Sequence, residues 1–182
     1  MDTAVPPVDT ADPGEGAHAD PESVARTIVL SRLTARPRTR AELEQTLAKK
    51  LVPAQVARGV LDRFEEVGLV DDAAFARSWV DARQNGRGLA RRALAQELRR
   101  RGVNDEVARE ALDRIDPEHE VDLARSLVRR KLRSTRGLER HTRIRRLAAM
   151  LARKGYPPGM AIRVVREEIA ADGEDAGDFV LD

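Results

Sequence analysis

The chain of 182 residues contains no cysteine, only 3% aromatic residues and no long apolar run. The absence of cysteine excludes disulfides, thiolate metal sites and thiol nucleophiles. No stretch approaches the roughly 18 uncharged apolar residues of a membrane span. Residues 1–22 hold neither a basic residue nor an apolar block, so no signal peptide is predicted. We therefore expect a cytoplasmic protein that does not associate with membranes.

Signatures of an enzyme are also lacking. His18, His119 and His141 show no metal-ligand spacing, and no P-loop, Rossmann glycine pattern or nucleophile elbow occurs. The pairs Glu65-Glu66 and Asp71-Asp72 offer hard-cation ligands in principle, but their positions around a turn are typical of helix caps. We expect no catalytic activity, no metal and no cofactor.

Charge is abundant but segregated along the chain. Residues 1–22 hold six of the 31 acidic residues and residues 170–182 hold five, and neither segment contains lysine or arginine. The middle therefore holds all 33 basic residues against 20 acids, and only four of its bases are lysine. Arginine makes forked contacts to phosphate and carboxylate, so this surface suits a polyanionic partner. A GC-rich coding bias is the alternative explanation for the arginine excess.

An internal repeat organises the middle of the chain. The run that begins at Val56 (VARGVLDRF) aligns with the run that begins at Val107 (VAREALDRI), an offset of 51 residues, and a third copy follows at Met160, 53 residues later. Upstream of these runs, three leucine pairs spaced i, i+4 keep the same offsets: Leu43/Leu47, Leu94/Leu98 and Leu147/Leu151. A glycine turn separates the two helices in the second and third copies, where the first copy has Leu51.

A further helix precedes each pair, opened by Asp20-Pro21, Asp71-Asp72 or Asp116-Pro117. The predicted fold is all-α, with three tandem three-helix repeats that share apolar surface in an elongated, curved array. The predicted segments are a disordered acidic head (1–22), repeat 1 (23–72), repeat 2 (73–116), repeat 3 (117–169) and an acidic tail (170–182).

Two arginine clusters are the candidate binding surface. Between Arg125 and Arg146 ten bases face the single acid Glu139, too uneven a ratio for pairing within the helices. A solvated helical face is the alternative, and it is a stronger alternative for the second cluster, in repeat 2. The candidate residues for filament or DNA binding are Arg83, Arg87, Arg91, Arg92, Arg125, Arg129, Arg130, Lys131, Arg133, Arg136, Arg140, Arg143, Arg145 and Arg146.

Trp79 is the only tryptophan, and Phe75 lies four residues before it. This spacing favours an aromatic pair in the core. Base stacking is the weaker alternative, because single-strand platforms interleave several aromatic residues with basic ones.

The run from Leu69 to Val80 (LVDDAAFARSWV), followed by Arg83, Gly88, the Leu94/Leu98 pair and Arg101-Gly102-Val103, resembles the middle of the RecX family. The resemblance extends over residues 25–169. It implies a regulator that binds the recombinase RecA, lodges along its nucleoprotein filament and mainly inhibits recombinase, ATPase and co-protease activity in DNA repair and the SOS response. The family motif does not identify contact residues.

Two other functions are consistent with the residues. A general basic DNA-binding helical protein, without RecA as partner, would bind single- or double-stranded DNA with a steep dependence on salt. A helical scaffold without any nucleic-acid role is the third hypothesis. The expected partners are therefore RecA, the RecA-DNA filament and DNA itself, and the protein is expected to be a monomer.

Overall fold

The computed structural model of the chain describes residues 20–177, and this part is built of α-helices with one short 3-10 helix. Repeat 1 consists of α1 (Pro21–Ala35), α2 (Arg40–Lys49) and α3 (Ala54–Glu66). Repeat 2 consists of α4 (Asp72–Arg87), α5 (Arg91–Arg100) and α6 (Asp105–Asp113). Repeat 3 consists of α7 (Pro117–Leu132), the 3-10 helix Arg133–Thr135, α8 (Arg140–Arg153) and α9 (Pro158–Gly177). The prediction of an all-α fold with three three-helix repeats is confirmed.

An aspartate caps the first helix of every repeat. Asp20 accepts hydrogen bonds from the amides of Glu22 and Ser23, Asp71 accepts one from Ala74 at 2.8 Å, and Asp116 accepts one from Glu118 at 2.9 Å. Each carboxylate satisfies amide donors that the first helical turn leaves unpaired. The three aspartates are the residues that the sequence predicts as helix starts.

Each repeat encloses its own apolar core. The leucine pairs of α2, α5 and α8 lie at the centres of these cores, and each of their side chains is at most 2% exposed. The i, i+4 spacing places both leucines of a pair on the helix face that meets the other two helices. The apolar surface that we expected neighbouring repeats to share is small: Ala90, which precedes α5, joins the core of repeat 3.

The turns between the second and third helices explain why repeat 1 departs from the glycine pattern. Leu51, Gly102 and Gly155 all adopt positive φ, at 61°, 76° and 91°. A Cβ at Gly102 would lie 2.4 Å from the Cβ of Ala41, and one at Gly155 would lie 2.5 Å from the backbone nitrogen of Ala93. Both glycines therefore pack against the preceding repeat. Among residues 20–177 no repeat packs against the Leu51 turn from the N-terminal side, and the Leu51 side chain is 89% exposed, so a side chain fits there despite the backbone strain.

Polar contacts join the repeats at two junctions. At the first junction, between repeats 1 and 2, the Thr39 hydroxyl donates to the carbonyl of Arg101 at 2.7 Å, and the amide of Arg40 donates to Asp72 at 2.9 Å. Burial raises the pKa of Asp72 against the opposing effect of this hydrogen bond. The contacts tie the N-terminus of α2 to the turn and first helix of the next repeat.

The second junction, between repeats 2 and 3, repeats this arrangement. The amide of Ala90 donates to the carbonyl of Lys154 at 2.9 Å, and the amide of Arg91 donates to Glu120 at 2.7 Å. The Tyr156 hydroxyl also donates to the carbonyl of Gly88 at 3.2 Å. Because α5 has no side-chain cap of its own, Glu120 of the next repeat supplies one.

The acidic tail differs from its prediction. Helix α9 continues to Gly177, so residues 170–177 belong to the last helix, where Asp172 forms ion pairs with α8 and with the segment after α7. Ordering this segment costs conformational entropy, and its few apolar residues cannot offset that cost by burial. The ion pairs of Asp172 supply the compensating contacts. Residues 1–19 of the predicted disordered head lie outside the described residues, as do residues 178–182.

Candidate nucleic-acid interface

Acidic residues of α9 neutralise part of the arginine cluster in repeat 3. Glu168, itself 6% exposed, receives two hydrogen bonds from Arg129, at 2.6 and 3.0 Å. Arg125 lies 3.3 Å from Glu167 and 4.0 Å from Glu168. The even stretch of positive charge read from the sequence is therefore interrupted, because the pairing acids come from a helix about forty residues further along the chain.

Asp172 closes a second group of ion pairs. It lies 2.6 Å from Arg136 and 3.1 Å from Arg143. The hydrogen bond from Arg136, supported by Arg143, lowers the pKa of Asp172 against the opposing effect of desolvation. Arg143 also lies 3.5 Å from the buried Thr135 hydroxyl, and its own side chain is largely covered. Arg136 and Arg143 therefore hold the end of α9 in place.

In repeat 2, Arg83 belongs to a structural cluster around Trp79. The guanidinium of Arg83 lies 4.1 Å from the Trp79 ring centroid, and that of Arg101 lies 3.8 Å from it. The indole nitrogen donates to Glu97 at 2.8 Å, and the ring stacks with Phe75 at a centroid distance of 5.6 Å. Trp79 thus pairs with Phe75, as its spacing predicts, and contacts α5 through Glu97, while the guanidinium groups of Arg83 and Arg101 lie over its ring.

Arg91 is also paired, with Asp113 of α6. After these assignments, eight candidate residues are exposed and have no acidic side chain among residues 20–173 within ion-pair distance. We call these eight residues the open basic set: Arg87, Arg92, Arg130, Lys131, Arg133, Arg140, Arg145 and Arg146. Six of the eight belong to repeat 3, so the structure concentrates available positive charge there.

Lys154 is a basic residue that the cluster count missed, because it lies beyond Arg146 in the turn between α8 and α9. Its ammonium donates to the carbonyl of Arg87 at 2.5 Å. Burial lowers the pKa of Lys154, and the charges of Arg130 and Arg87 lower it further. The repeat offset could have identified Lys154 as a candidate, since it occupies the position that Arg101 has in repeat 2.

The acidic pairs considered as cation ligands act as structural groups. Asp71 caps α4 and Asp72 accepts the Arg40 amide, while Glu65 pairs with the Arg40 guanidinium. Within residues 20–173, no group of three or more metal-ligating side chains comes together. Between residues 20 and 177, no helix combines the length and apolarity needed to cross a bilayer.

The fold and these residues define a class: a tandem helical-repeat protein whose third repeat holds most of the open basic set. Sequence models of the first, second and third three-helix domains of RecX match residues 25–64, 71–112 and 118–165. The chain belongs to the RecX family.

Relatives support this assignment over most of the chain. A protein named regulatory protein RecX from Streptomyces coelicolor is 56% identical over 156 residues, covering 86% of this chain and 83% of the relative. One of the same name from Thermobifida fusca is 53% identical over 168 residues, covering 91% of each. The relatives carry the name of a regulatory protein.

Solved structures agree in fold at lower sequence identity. The crystal structure of RecX from Lactobacillus salivarius superposes with a TM-score of 0.77 at 19% identity, covering 84% of this chain and 99% of that one. A second crystal structure, of regulatory protein RecX, gives a TM-score of 0.73 at 24% identity, covering 80% and 73%. At this identity the likeness shows the three-repeat fold alone.

Proposed function

We propose that this protein binds the recombinase RecA and its nucleoprotein filament and mainly inhibits RecA recombinase, ATPase and co-protease activity in DNA repair and the SOS response. The name regulatory protein RecX, carried by relatives that are about half identical, supports a regulatory role. The observation that carries the proposal is the open basic set, a group of exposed cations without acidic partners among residues 20–173. A filament of protein and phosphate offers the complementary negative charge.

A protein that uses its surface in this way needs no catalytic site. Six of the eight members of the open basic set lie on repeat 3, whereas each of the three repeats has its own core. Because all three repeats have a core but most of the open basic set is in repeat 3, we infer that repeat 3 makes the polyanion contacts. Its paired arginines, such as Arg129 on the buried Glu168, keep the helices that carry the exposed cations in fixed positions.

The test measures RecA ATPase and strand exchange with the purified protein at stoichiometric ratios. The intact protein should inhibit both activities, and the triple variant Arg130→Gln, Arg133→Gln, Arg140→Gln should inhibit several-fold less, because three exposed charges are lost without breaking an ion pair of the described residues. The matched control is Arg36→Gln, Lys49→Gln, Lys50→Gln, which removes three exposed charges from repeat 1.

Arg129 is unsuitable for this test because its loss would leave Glu168 buried and unpaired. Unchanged RecA activities with the intact protein would reject the proposed function. Equal losses in the two triple variants would reject the assignment to repeat 3.

The open basic set also supports the second candidate, a general DNA-binding protein without RecA as partner. That candidate predicts the same affinity for single-stranded DNA whether or not RecA is present, with a linear dependence of log affinity on log salt. Binding that requires RecA would exclude it.

A further inference from the structure

The two junctions have similar polar contacts but differ in how their charges are paired. At the first junction, Arg101 lies 2.5 Å from Glu42 of the preceding repeat. The repeat offsets place Lys154 at the position of Arg101 and Ala93 at the position of Glu42. The cation of the second junction therefore lacks the acid that neutralises its counterpart.

Other substitutions between the junctions act in the same direction. Arg130 stands where the first junction has Ala82, because the first helices of repeats 2 and 3 align with an offset of 48, and Arg92 stands where the first junction has Ala41. Arg87 and Arg153 are matched by Arg36 and Arg100. The second junction thus carries five cations, and none has an acidic partner within ion-pair distance among residues 20–173.

Three of these cations, Arg87, Arg130 and Lys154, lie near one another at the turn that contains Gly155. The Lys154 ammonium is fixed by its hydrogen bond to the carbonyl of Arg87, and the charges of Arg87 and Arg130 are near enough to lower its pKa. Holding like charges together in a partly desolvated place is unfavourable, and a bound anion would relieve this repulsion.

The other two cations line a groove on the α5 side of the same turn. This groove has a volume of about 310 Å³, and its walls include Arg92, Arg153, Gln96 and Gly155. By contrast, the groove of about 470 Å³ at the first junction is lined largely by apolar groups such as Leu33, Leu69 and Phe75. The groove at the second junction thus combines a concave shape with two arginines, Arg92 and Arg153, that have no acidic partner among residues 20–173.

We propose that the second junction is a phosphate-binding site for a nucleic-acid strand, with Arg87, Arg130 and Lys154 contacting one phosphate and Arg92 and Arg153 contacting a neighbouring one. Two groups of cations near the Gly155 turn suit two successive phosphates of one strand. Arginine offers two parallel donors to the oxygens of each phosphate. The site adds to the proposed function by naming the residues that would contact nucleic acid. It rests on the proposed function only in the assumption that the bound strand belongs to a RecA filament.

The experiment measures the affinity of the full chain for a short oligo(dT) strand, without RecA, over a series of salt concentrations. The variant Arg87→Gln, Arg130→Gln should bind about tenfold more weakly at low salt, and the slope of log affinity against log salt should fall by about 0.7, since the two arginines share one phosphate and each single-strand phosphate contact contributes about 0.7. The control Arg36→Gln, Arg100→Gln removes two exposed charges at the first junction and should change the slope by less than half as much. Circular dichroism checks that both variants fold.

A second readout follows the Lys154 ammonium by NMR. Oligo(dT) should raise the pKa of Lys154 toward its ordinary value, inorganic phosphate should raise it less at equal phosphate concentration, and poly-glutamate should raise it least. Equal slopes in the two variants, no oligo(dT) binding by the intact protein, or a larger effect of poly-glutamate would each overturn the site. Because these measurements contain no RecA, their failure is distinct from a failure to inhibit RecA.

Discussion

Replacement of Gly155 by alanine tests the packing of one repeat against the next. The residue has φ 91°, and an added Cβ would lie 2.5 Å from the backbone nitrogen of Ala93 and 2.7 Å from its Cβ. The left-handed conformation costs an L-residue about 1 to 2 kcal/mol. Relief of the contact requires a backbone shift, which costs about 1 to 3 kcal/mol. The lower entropy of the unfolded alanine chain offsets about 0.4 to 1 kcal/mol.

We therefore expect Gly155→Ala to lower the free energy of unfolding by about 2 to 3 kcal/mol, the balance of these effects. The assay is urea denaturation followed by circular dichroism. A local readout is hydrogen exchange of the Ala90 amide, which donates to the carbonyl of Lys154 and should exchange faster in the variant.

The matched control is Gly59→Ala in α3. Gly59 has helical surroundings with no atom within 4 Å of an added Cβ, so alanine should raise the free energy of unfolding by about 1 kcal/mol. If Gly155→Ala were as stable as the wild-type protein, with an unchanged Ala90 exchange rate, the tight docking of this turn would be refuted.

Three further predictions concern single positions. Leu51→Gly should raise the free energy of unfolding by about 0.5 to 1 kcal/mol, because it removes left-handed strain at an exposed side chain; a loss of stability in urea denaturation would contradict this. Tyr156, the only tyrosine, should titrate near pH 12, since burial, with a smaller contribution from Glu120, raises its pKa to about 12. Its stabilising contribution should decline as pH rises from about 10 to 12, and ultraviolet absorbance showing ionisation near pH 10 would refute it. The lowered pKa of Asp172 predicts a contribution present above the unfolded-state pKa, about 4, and lost as pH falls through the folded value. Asp172→Asn should therefore flatten the acid side of the stability profile, and an unchanged profile would count against the Arg136 and Arg143 pairs.

Helix order and core positions were predictable because they depend on local signals. The leucine pairs identify the buried face of α2, α5 and α8, and the aspartate caps mark the starts of α1, α4 and α7. Both signals act within one or two turns of helix, so the sequence pattern contains them.

Contacts between distant segments were not predictable in the same way. Glu168 and Asp172 meet arginines of repeat 3 only because α9 packs across α7 and α8. The ten-to-one charge ratio between Arg125 and Arg146 therefore overstated the available charge. The unpaired cations of the second junction could not be recognised from the repeat offsets alone. The fold is also needed, because it shows which residues of repeats 2 and 3 lie against each other.

The departure at Leu51 shows how the fold explains a local exception. Repeat 1 has Leu51 where the other repeats have the turn glycine, and the φ of 61° at Leu51 preserves the turn conformation. Glycine is needed at positions 102 and 155 for two reasons: the backbone has a positive φ there, and the preceding repeat lies against each turn. The role of glycine in these turns is therefore partly one of packing between repeats.

Co-sedimentation with RecA on single-stranded DNA tests the central claim most directly, with RecA omitted as the control. The account predicts that the protein sediments with the filament at low molar ratios, that the Arg130→Gln, Arg133→Gln, Arg140→Gln variant sediments several-fold less, and that the repeat 1 control variant sediments like the intact protein. A protein that stays in the supernatant with RecA filaments, or that sediments equally with DNA alone, would contradict it.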